Sequence, residues 1–242
     1  MSRERWFQMA ECFSTAASLG GPGETLCSRC QEVLCVTGVA ISLISETNTA
    51  LLCVSDEAAA TLDAAQFTVG EGPSCEALFS GRPVFEDHLT STSPHRWPAL
   101  SNLTRDMGIE GIFAFPLQIG AARSGVLTLY QREAGAWSPS QHADGLIAAD
   151  VLTHLILSIQ AKAPEGSLAD ALREAGSSRA EVHQASGMLS AQLGVSVAEG
   201  LVRLRGLSFA TERPVSELAL AVIAHRLRLV RSYNSQVEWS ED

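Results

Sequence analysis

The sequence predicts an α+β protein in two parts, an antiparallel sheet flanked by helices and then a small module of three helices. Residues 111–120 and 125–133 contain apolar strand-forming residues on either side of the turn GAARSG, which predicts a β-hairpin. Within the first of these strands, one face is predicted by the two-residue period to contain Phe113, Phe115, Leu117 and Ile119. After the segment APEGS (163–167), only helical periodicity remains.

The elements of the first part follow one another along the chain. Helices are predicted at 3–19 and 23–36, strands at 39–46, 50–56 and 82–88, a loop with a short helix at 70–81, a loop with a helix at 94–108, and a long helix over 138–162. Pro73 and Pro139 suit the first turns of their helices, and Ser138 is suited to cap the long helix. The helices are expected to flank the sheet.

The first helix of the terminal module, predicted at 179–193, has two stripes. Apolar residues recur at intervals of three and four, which predicts that one stripe is buried. That stripe contains Val182, Ala185, Leu189 and Leu193. The opposite stripe is expected to face solvent and contains Arg179, His183, Ser186 and Ser190.

The second and third helices of the module are predicted at 196–210 and 214–230. Ser196 and Glu199 have the spacing of a capping box. The residues expected to face inward are Ala198, Leu201, Leu204, Leu218 and Val222. Arg203 and Arg205 lie about 200° apart around the helix, so at most one of them belongs to any single surface. Arg226, Arg228 and Arg231 suit the end of the third helix, where cations are favoured.

The charge of the chain is uneven. The formal net charge is −10, yet residues 179–231 contain 7 Arg and 4 Glu. The acidic total argues against indiscriminate nucleic-acid binding, whereas the local excess of cations permits a selective contact. No apolar run approaches the roughly 20 residues that cross a bilayer, and the N-terminus is unlike a secretory signal. A cytoplasmic protein without a membrane partner is expected.

The terminal module resembles the ANTAR domain, the three-helix RNA-binding unit of bacterial antitermination regulators. The pattern is R-x-x-V-x-Q-A-x-G-M-L, then L-G-V-S-x-x-E-x-L-x-x-L-R, then R-P-V-x-E-L-A. It is carried by Arg179, Val182, Ala185, Gly187, Met188, Leu189, Glu199, Leu204, Arg205, Val215 and Ala219. The sequence departs from this family at Gly200 and Ser208, where alanine is favoured, and at Ser186, which replaces a common lysine.

The preceding part resembles a GAF sensor domain by its order of elements and by VGEGPSCEALFSGRPVFEDH (69–88). GAF followed by ANTAR is an actinobacterial arrangement, and the 16 Arg beside a single lysine, Lys162, also indicate a GC-rich genome. The resemblance implies a signal-responsive regulator rather than an enzyme, without a cofactor. It implies a homodimer that binds paired stem-loops in an mRNA leader and favours an antiterminator over a terminator, under a small-molecule or protein signal.

These resemblances divide the chain into four segments. They are a GAF-like sensor at 1–162, a linker and lead-in helix at 163–178, an ANTAR domain at 179–231, and a loose tail at 232–242. The RNA contacts are expected from Arg179, His183 and Gln184 on the first helix of the module, with Arg205 and Arg213 secondary. Arginine contacts to phosphate and to unpaired loop bases are the chemistry that recognition of folded RNA needs.

Other interpretations of the same residues stay open. Phe85, Trp97, Phe113 and Phe115 are expected either to form the core of the sheet or to line a ligand pocket. The module could also bind DNA as a helix-turn-helix, although only Arg213 lies near the start of its third helix.

The cysteines offer a further alternative. Without an export signal they are expected to be reduced thiols. Cys27, Cys30 and Cys35 could serve a metal or redox site, but a second CxxC at zinc spacing is absent. Cys75 lies at a predicted helix N-terminus, where a thiol pKa is lowered. A GAF-type enzyme that reduces free methionine sulfoxide would need one of these thiols to be exposed and reactive.

Overall fold

The computed structural model describes residues 3–20, 25–45, 48–89, 96–104, 107–162, 177–211, 213–231 and 237–241. Apart from Glu46–Ala50, the chain divides into an N-terminal unit that extends to Ala175 and a C-terminal unit that begins at Gly176. The predicted linker at 163–178 lies outside the described residues, except for Ser177 and Ser178. Each unit is described by itself.

A five-stranded sheet with the order β2-β1-β5-β4-β3 forms the centre of the N-terminal unit. Its strands are β1 (Gly38–Ser45), β2 (Asn48–Val54), β3 (Val84–Glu86), β4 (Gly111–Ile119) and β5 (Ala122–Gln131). The pairs β1–β5, β4–β5 and β3–β4 are antiparallel, and Phe115 of β4 lies opposite Leu127 of β5. The predicted sheet and its hairpin are confirmed.

Helices cover both faces of this sheet. They are α1 (Arg3–Gly20), α2 (Leu26–Leu34), α3 (Glu57–Val69), α4 (Pro73–Ser80), α5 (Pro98–Thr104) and α6 (Pro139–Lys162). α1, α2 and α6 contact one another and pack on one face, whereas α3, α4 and α5 pack on the other. The alternation of β4 decides which residues meet which layer. Ile112 and Ala114 join the core beneath α3, α4 and α5, and Phe115 lies against Gly145 of α6.

The long helix α6 is held by α1 as well as by the sheet. Among the described residues, its stretch Pro139–Ala161 is the one helix that is long and apolar enough to cross a membrane, by length and composition only. Arg5 donates to both carboxylate oxygens of Asp144, at 3.1 and 2.9 Å, and Trp6 Nε1 donates to Asp150 at 2.6 Å. Leu152 is fully buried. The apolar composition of α6 therefore matches its packing within the N-terminal unit.

Helix α3 was not predicted from the sequence, although its end signals were present. The side chain of Asp56 caps the helix by accepting from the backbone N–H of Ala59 at 2.8 Å, and Gly70 ends it with φ of 72°. Asp56 also accepts from the hydroxyl of Tyr130 at 3.0 Å. Burial and this hydrogen bond raise the pKa of Tyr130 to about 12. The cap thus also ties α3 to β5.

The C-terminal unit contains three helices and a β-hairpin. The helices are α7 (Ser177–Leu193), α8 (Val197–Thr211) and α9 (Val215–Ile223), and the strands are β6 (Leu227–Arg231) and β7 (Val237–Glu241), which pair antiparallel. The helices at 179–193 and 196–210 are confirmed within one or two residues at each end, and Gly194 ends α7 with φ of 65°.

The predicted end of the third helix at residue 230 is wrong. α9 ends at Ile223, and His225 takes a left-handed conformation with φ of 58° that a helix does not continue through. The following residues RLRLVR alternate with a period of two, and Leu227 is fully buried while Arg228 is exposed. The predicted loose tail at 232–242 likewise contains β7. Arg226, Arg228 and Arg231 therefore do not stabilise a helix C-terminus.

Candidate nucleic-acid interface

The apolar stripe of α7 forms the core of the C-terminal unit, as predicted. Val182, Ala185, Leu189 and Leu193 are all buried. They meet the inward residues of the other two helices, of which Leu204, Leu218 and Val222 are fully buried. Ala198, which was also expected to face inward, is exposed.

The opposite stripe of α7 is not the solvent-facing surface that the sequence predicts. Arg179 is 8% exposed and Ser186 is 0% exposed, while His183 and Ser190 are half-buried. The reason is that α7 is contacted by α8, α9 and β6, so little of its circumference stays open. The unpredicted strand β6 is one of these three neighbours.

Ser186 and Gly200 form the closest contact between α7 and α8. A Cβ added to Gly200 would lie 2.5 Å from the backbone oxygen of Ser186 and 3.3 Å from the backbone nitrogen of Ser190. The hydroxyl of Ser186 is turned back along its own helix, donating to the carbonyl of Val182 at 2.7 Å. Two of the departures from the ANTAR pattern thus belong to one packing contact, in which glycine lets the two backbones approach closely.

Ser208, the third departure, has a structural role at the turn between α8 and α9. It is buried, and its hydroxyl donates to the backbone carbonyl of Arg213 at 2.6 Å. An alanine at this position would leave that carbonyl without its donor. The serine therefore fixes the path of the chain from α8 into α9.

Three of the five residues predicted to contact RNA lie close together. Burial lowers the pKa of His183, and the positive charges of Arg205 and Arg179 lower it further. Arg179 and His183 are one turn apart on α7, and Arg205 belongs to α8, which packs against it. We refer to Arg179, His183 and Arg205 as the basic cluster.

We expect the C-terminal unit to become less stable as the pH falls from about 6.5, the ordinary pKa of His183. The folded state disfavours protonated His183, so the unfolded chain binds the proton more readily. The stability is therefore full above pH 6.5 and is lost as the pH falls through the lowered pKa of the folded state. Denaturation of the wild type and of His183→Gln between pH 5 and 8 measures this. The same pH dependence in both proteins would contradict the effect.

The other two predicted residues are Gln184 and Arg213. Gln184 is exposed on α7. Arg213 precedes α9 and pairs with Glu217, its Nε and Nη2 each lying 3.0 Å from one carboxylate oxygen. Arg203 pairs in the same way with Glu199, one turn away on α8. This pairing agrees with the prediction that Arg203 and Arg205 serve different surfaces.

A surface feature that the sequence analysis missed lies on the outer side of α8. Val202 is 59% exposed and Phe209 is 75% exposed, although both are large and apolar. Gly206 lies between them, and a Cβ added to it would have open space around it. The signal was present in the sequence, because Phe209 falls outside the stripe that contains Leu204 and Leu207. We call Val202, Gly206 and Phe209 the outer face of α8.

The aromatic residues proposed as a ligand pocket of the N-terminal unit lie on two faces of the sheet. Phe85, Phe113 and Phe115 contact one another, and Phe113 stacks on Trp137 with ring centroids 4.0 Å apart. Trp97 belongs instead to the core beneath α3, α4 and α5. The four residues therefore cannot line a single pocket, and Phe113, Phe115 and Trp97 are buried parts of two cores.

The expectation of reduced thiols is wrong for Cys27 and Cys53. These two residues form a disulfide between α2 and β2, with their Cα atoms 5.9 Å apart. Both are buried. The sulfur of Cys27 is thus not available to a metal site with Cys30 and Cys35.

The cysteines outside the disulfide differ in their burial. Burial raises the pKa of Cys30, which makes it a poor nucleophile. Cys35 is exposed in a left-handed conformation at the end of α2. Cys75 is half-buried, and its thiol donates to the carbonyl of Gln66. Among the described residues there is no group of three or more His, Cys, Asp or Glu that could hold a metal ion.

Comparison with solved structures finds domains similar to the N-terminal part. The GAF domain of an Acinetobacter phosphoenolpyruvate-protein phosphotransferase is 11% identical with a TM-score of 0.49, and covers 68% of this chain and 99% of its own. The GAF domain of a phosphoenolpyruvate-protein phosphotransferase from Coxiella burnetii is 16% identical with a TM-score of 0.47, and covers 66% and 98%. A type II free methionine-R-sulfoxide reductase from Thermoplasma acidophilum is 13% identical with a TM-score of 0.41, and covers 63% and 94%.

Sequence comparison identifies the C-terminal part more directly. No curated protein matches the chain. Residues 170–223 match the family model of the ANTAR domain. This range includes the basic cluster, the outer face of α8 and the close contact between Ser186 and Gly200. Residues 170–223 therefore constitute an ANTAR domain, whose described helices are α7, α8 and α9.

Proposed function

We propose that the protein is an RNA-binding regulator that acts by transcription antitermination. In this proposal the ANTAR domain contacts paired stem-loops in nascent mRNA, and the N-terminal unit is a GAF-type sensor for a small-molecule or protein signal. The observation that supports it most is the match of residues 170–223 to the ANTAR domain, together with the basic cluster that two of its helices build.

The basic cluster has the chemistry that an RNA backbone requires. Arg179 and Arg205 stay charged at any physiological pH, and their positive potential is strong enough at His183 to lower the pKa of that side chain. A phosphate placed beside the cluster would reverse this effect, because an opposite charge favours the protonated imidazole. Arg205, which is half-buried, offers the better contact, since Arg179 is 8% exposed.

The burial of α9 favours RNA over DNA as the partner. A helix-turn-helix protein places exposed side chains of one recognition helix in the major groove. Val215, Leu218, Ala219, Ala221 and Val222 of α9 are all buried. Its first turn also contains the acidic Glu217, which pairs with Arg213. This helix therefore leaves too little polar surface to read base edges in a groove.

A homodimer would compensate for the small number of basic groups in each ANTAR domain. Two linked domains that bind two neighbouring stem-loops convert the second contact into an intramolecular one, which raises the overall affinity without any new residue. Action on nascent mRNA places the protein in the cytoplasm. The sensor unit would then set whether both domains can engage RNA together.

We expect Arg205→Gln to weaken the binding of stem-loop RNA by roughly tenfold, because hydrogen bonds from a charged donor are stronger than neutral ones. The slope of the logarithm of the affinity against the logarithm of the salt concentration should also decrease, by about the amount that one phosphate contact contributes. The measurement is a titration of the full-length protein with a library of RNAs that share one stem and carry a randomised loop, at two or more salt concentrations.

Arg203→Gln is the matched control. It removes the same charge from the same helix, but Arg203 is paired with Glu199 and lies about 200° around the helix from Arg205. Its affinity for RNA should stay within about twofold of the wild type. Equal losses in the two variants would show that only the net charge matters and would overturn the basic cluster as the contact site.

A further inference from the structure

Phe209 is exposed on a helix that is otherwise well packed. The neighbouring residues Leu207 and Ser208 are buried, whereas Phe209 is 75% exposed. In the described part of the C-terminal unit the core is formed by other residues, including Leu204 and Leu207, so its packing does not depend on an aromatic ring at that position. The ring therefore presents an open π face at the surface of the ANTAR domain.

The surroundings of Phe209 suit a flat ligand. Gly206, one turn before it, leaves the helix backbone bare, with no heavy atom near the position of a missing Cβ. A planar group can thus lie against Phe209 over the bare backbone without meeting a side chain at position 206.

The charge beside this face is complementary to a nucleic acid. Arg205 lies four residues before Phe209, which places it about 6 Å away along the helix and on a neighbouring side. Arg205 also belongs to the basic cluster, and its positive charge lowers the pKa of His183. A nucleotide with its phosphate at Arg205 can therefore bring its base to the ring of Phe209.

The size of the outer face argues against a second protein chain as its occupant. A phenylalanine contributes roughly 150–250 Å² of contact area, whereas a stable protein interface needs about 800 Å² from each partner. Val202 and Phe209 would supply only part of that area, and the rest would have to come from their neighbours. A single base needs only one aromatic face, so the area available fits stacking.

We propose that Phe209, with the bare backbone at Gly206 and the charge of Arg205, forms a stacking site for one unpaired base of an RNA loop. This inference rests on the proposed RNA-binding function and adds to it a contact residue, Phe209, that would meet the loop rather than the stem. Bases stack on aromatic side chains with little regard to sequence. The site therefore supplies affinity for a loop, and the order of bases must be read by other contacts.

The test compares Phe209→Leu with Phe209→Trp in the full-length protein. Leucine keeps the apolar surface but removes the π face, whereas tryptophan keeps both. Loss of one base stack weakens binding roughly 5- to 150-fold. We expect that loss for Phe209→Leu with the stem-loop library, affinity within threefold of the wild type for Phe209→Trp, and no change for either variant with the fully paired duplex of the same stem.

Val202→Ala is the matched control, since it removes exposed apolar surface from the same face without touching an aromatic ring. It should leave binding to the stem-loops unchanged. A second readout uses 2-aminopurine in the loop, whose fluorescence is quenched when it stacks. The wild type should quench it and Phe209→Leu should not, while the melting temperatures of the two proteins stay equal.

Three results would overturn the proposal. Wild-type affinity in Phe209→Leu beside a loss in Arg205→Gln would remove the stacking site and leave the RNA-binding function in place. Equal losses in Phe209→Leu and Val202→Ala, or a shift of either protein to a smaller oligomer, would show that the face is an apolar protein interface. Failure of the wild type to bind any RNA of the library would overturn the proposed function itself.

Discussion

The double substitution Cys27→Ala with Cys53→Ala is expected to lower the free energy of unfolding of the N-terminal unit by about 3–4 kcal/mol. The disulfide closes a loop with a sequence separation of 26 residues, and joins α2 on one face of the sheet to the edge strand β2. Without it, the unfolded chain gains the conformational freedom that the cross-link removes. Urea denaturation of the wild type and of the variant measures the difference, and a reductant added to the wild type should reproduce it.

Cys30→Ala is the matched control for this substitution. Cys30 is fully buried, lies one turn from Cys27 on α2, and is not cross-linked. Its replacement removes one buried sulfur atom, half of what the double variant removes, and leaves the loop closed. The loss should therefore be well below half of that in the double variant and insensitive to reductant. An equal loss in Cys30→Ala and in the double variant would assign the stability to packing instead of to the bond.

Alkylation distinguishes the free cysteines from the pair in the disulfide. Protein purified without reductant and then denatured should take up label at the four free cysteines, Cys12, Cys30, Cys35 and Cys75. The two others should react only after reduction. Labelling of all six before reduction would contradict the disulfide. In the reducing cytoplasm proposed for the protein such bonds seldom persist, so the N-terminal unit would there lack this stabilisation.

The second large effect concerns two glycines of α8. We expect Gly200→Ala to lower the stability of the C-terminal unit by about 1–2 kcal/mol, although alanine is the better helix former. The new Cβ would lie 2.5 Å from the backbone oxygen of Ser186, so α7 and α8 must separate. Such overpacking costs about 1–3 kcal/mol, and the gain in helix propensity, up to about 1 kcal/mol, offsets only part of it.

Gly206→Ala is expected to have the opposite effect on stability, although it changes the same helix. Its Cβ would point into open space, so only the propensity changes, and the stability should rise by about 0.5–1 kcal/mol. Thermal or urea denaturation of both variants gives the two signs. A stabilising Gly200→Ala would show that α7 and α8 do not approach as closely as the structure places them.

Local patterns in the sequence predicted most of the elements. The period of α7 identified its buried stripe, and Gly194, Ser196 and Pro214 marked where the helices of the ANTAR domain end and begin. The backbone N–H of Glu199 donates to the hydroxyl of Ser196 at 3.1 Å, which is one of the two bonds of a capping box. Glu199 itself pairs with Arg203. The match at 170–223 supports the resemblance that these residues carried.

The errors arose where a local signal was overlooked or outweighed. Helix α3 had a cap at Asp56 and an end at Gly70, but the alanine-rich segment between them lacks a clear apolar stripe. The basic residues after Ile223 suited a helix C-terminus, yet their alternation with Leu227 and Leu229 was the stronger signal. A pattern of period two was thus interpreted as the end of a helix.

The sequence predicted the residues of the basic cluster but not their burial, and their contact with RNA stays a prediction. Arg179, His183 and Arg205 do lie close together, although the sequence placed them on an open surface and the structure half or fully buries them. Phe209, the residue on which the stacking proposal rests, was not among the predicted contacts. Its place outside the stripe of Leu204 and Leu207 was a signal in the sequence, but the packing of α8 decided its exposure.

The sequence by itself determined where most of the helices and strands lie and that its last third contains an ANTAR domain, because periodicity, caps and breaks act between residues a few positions apart. Only the tertiary structure decided which side of α7 is covered, that Cys27 pairs with Cys53, and that Ser186 requires a glycine at position 200. These contacts join residues that are distant in the chain, so they exist only once the helices and strands have packed together.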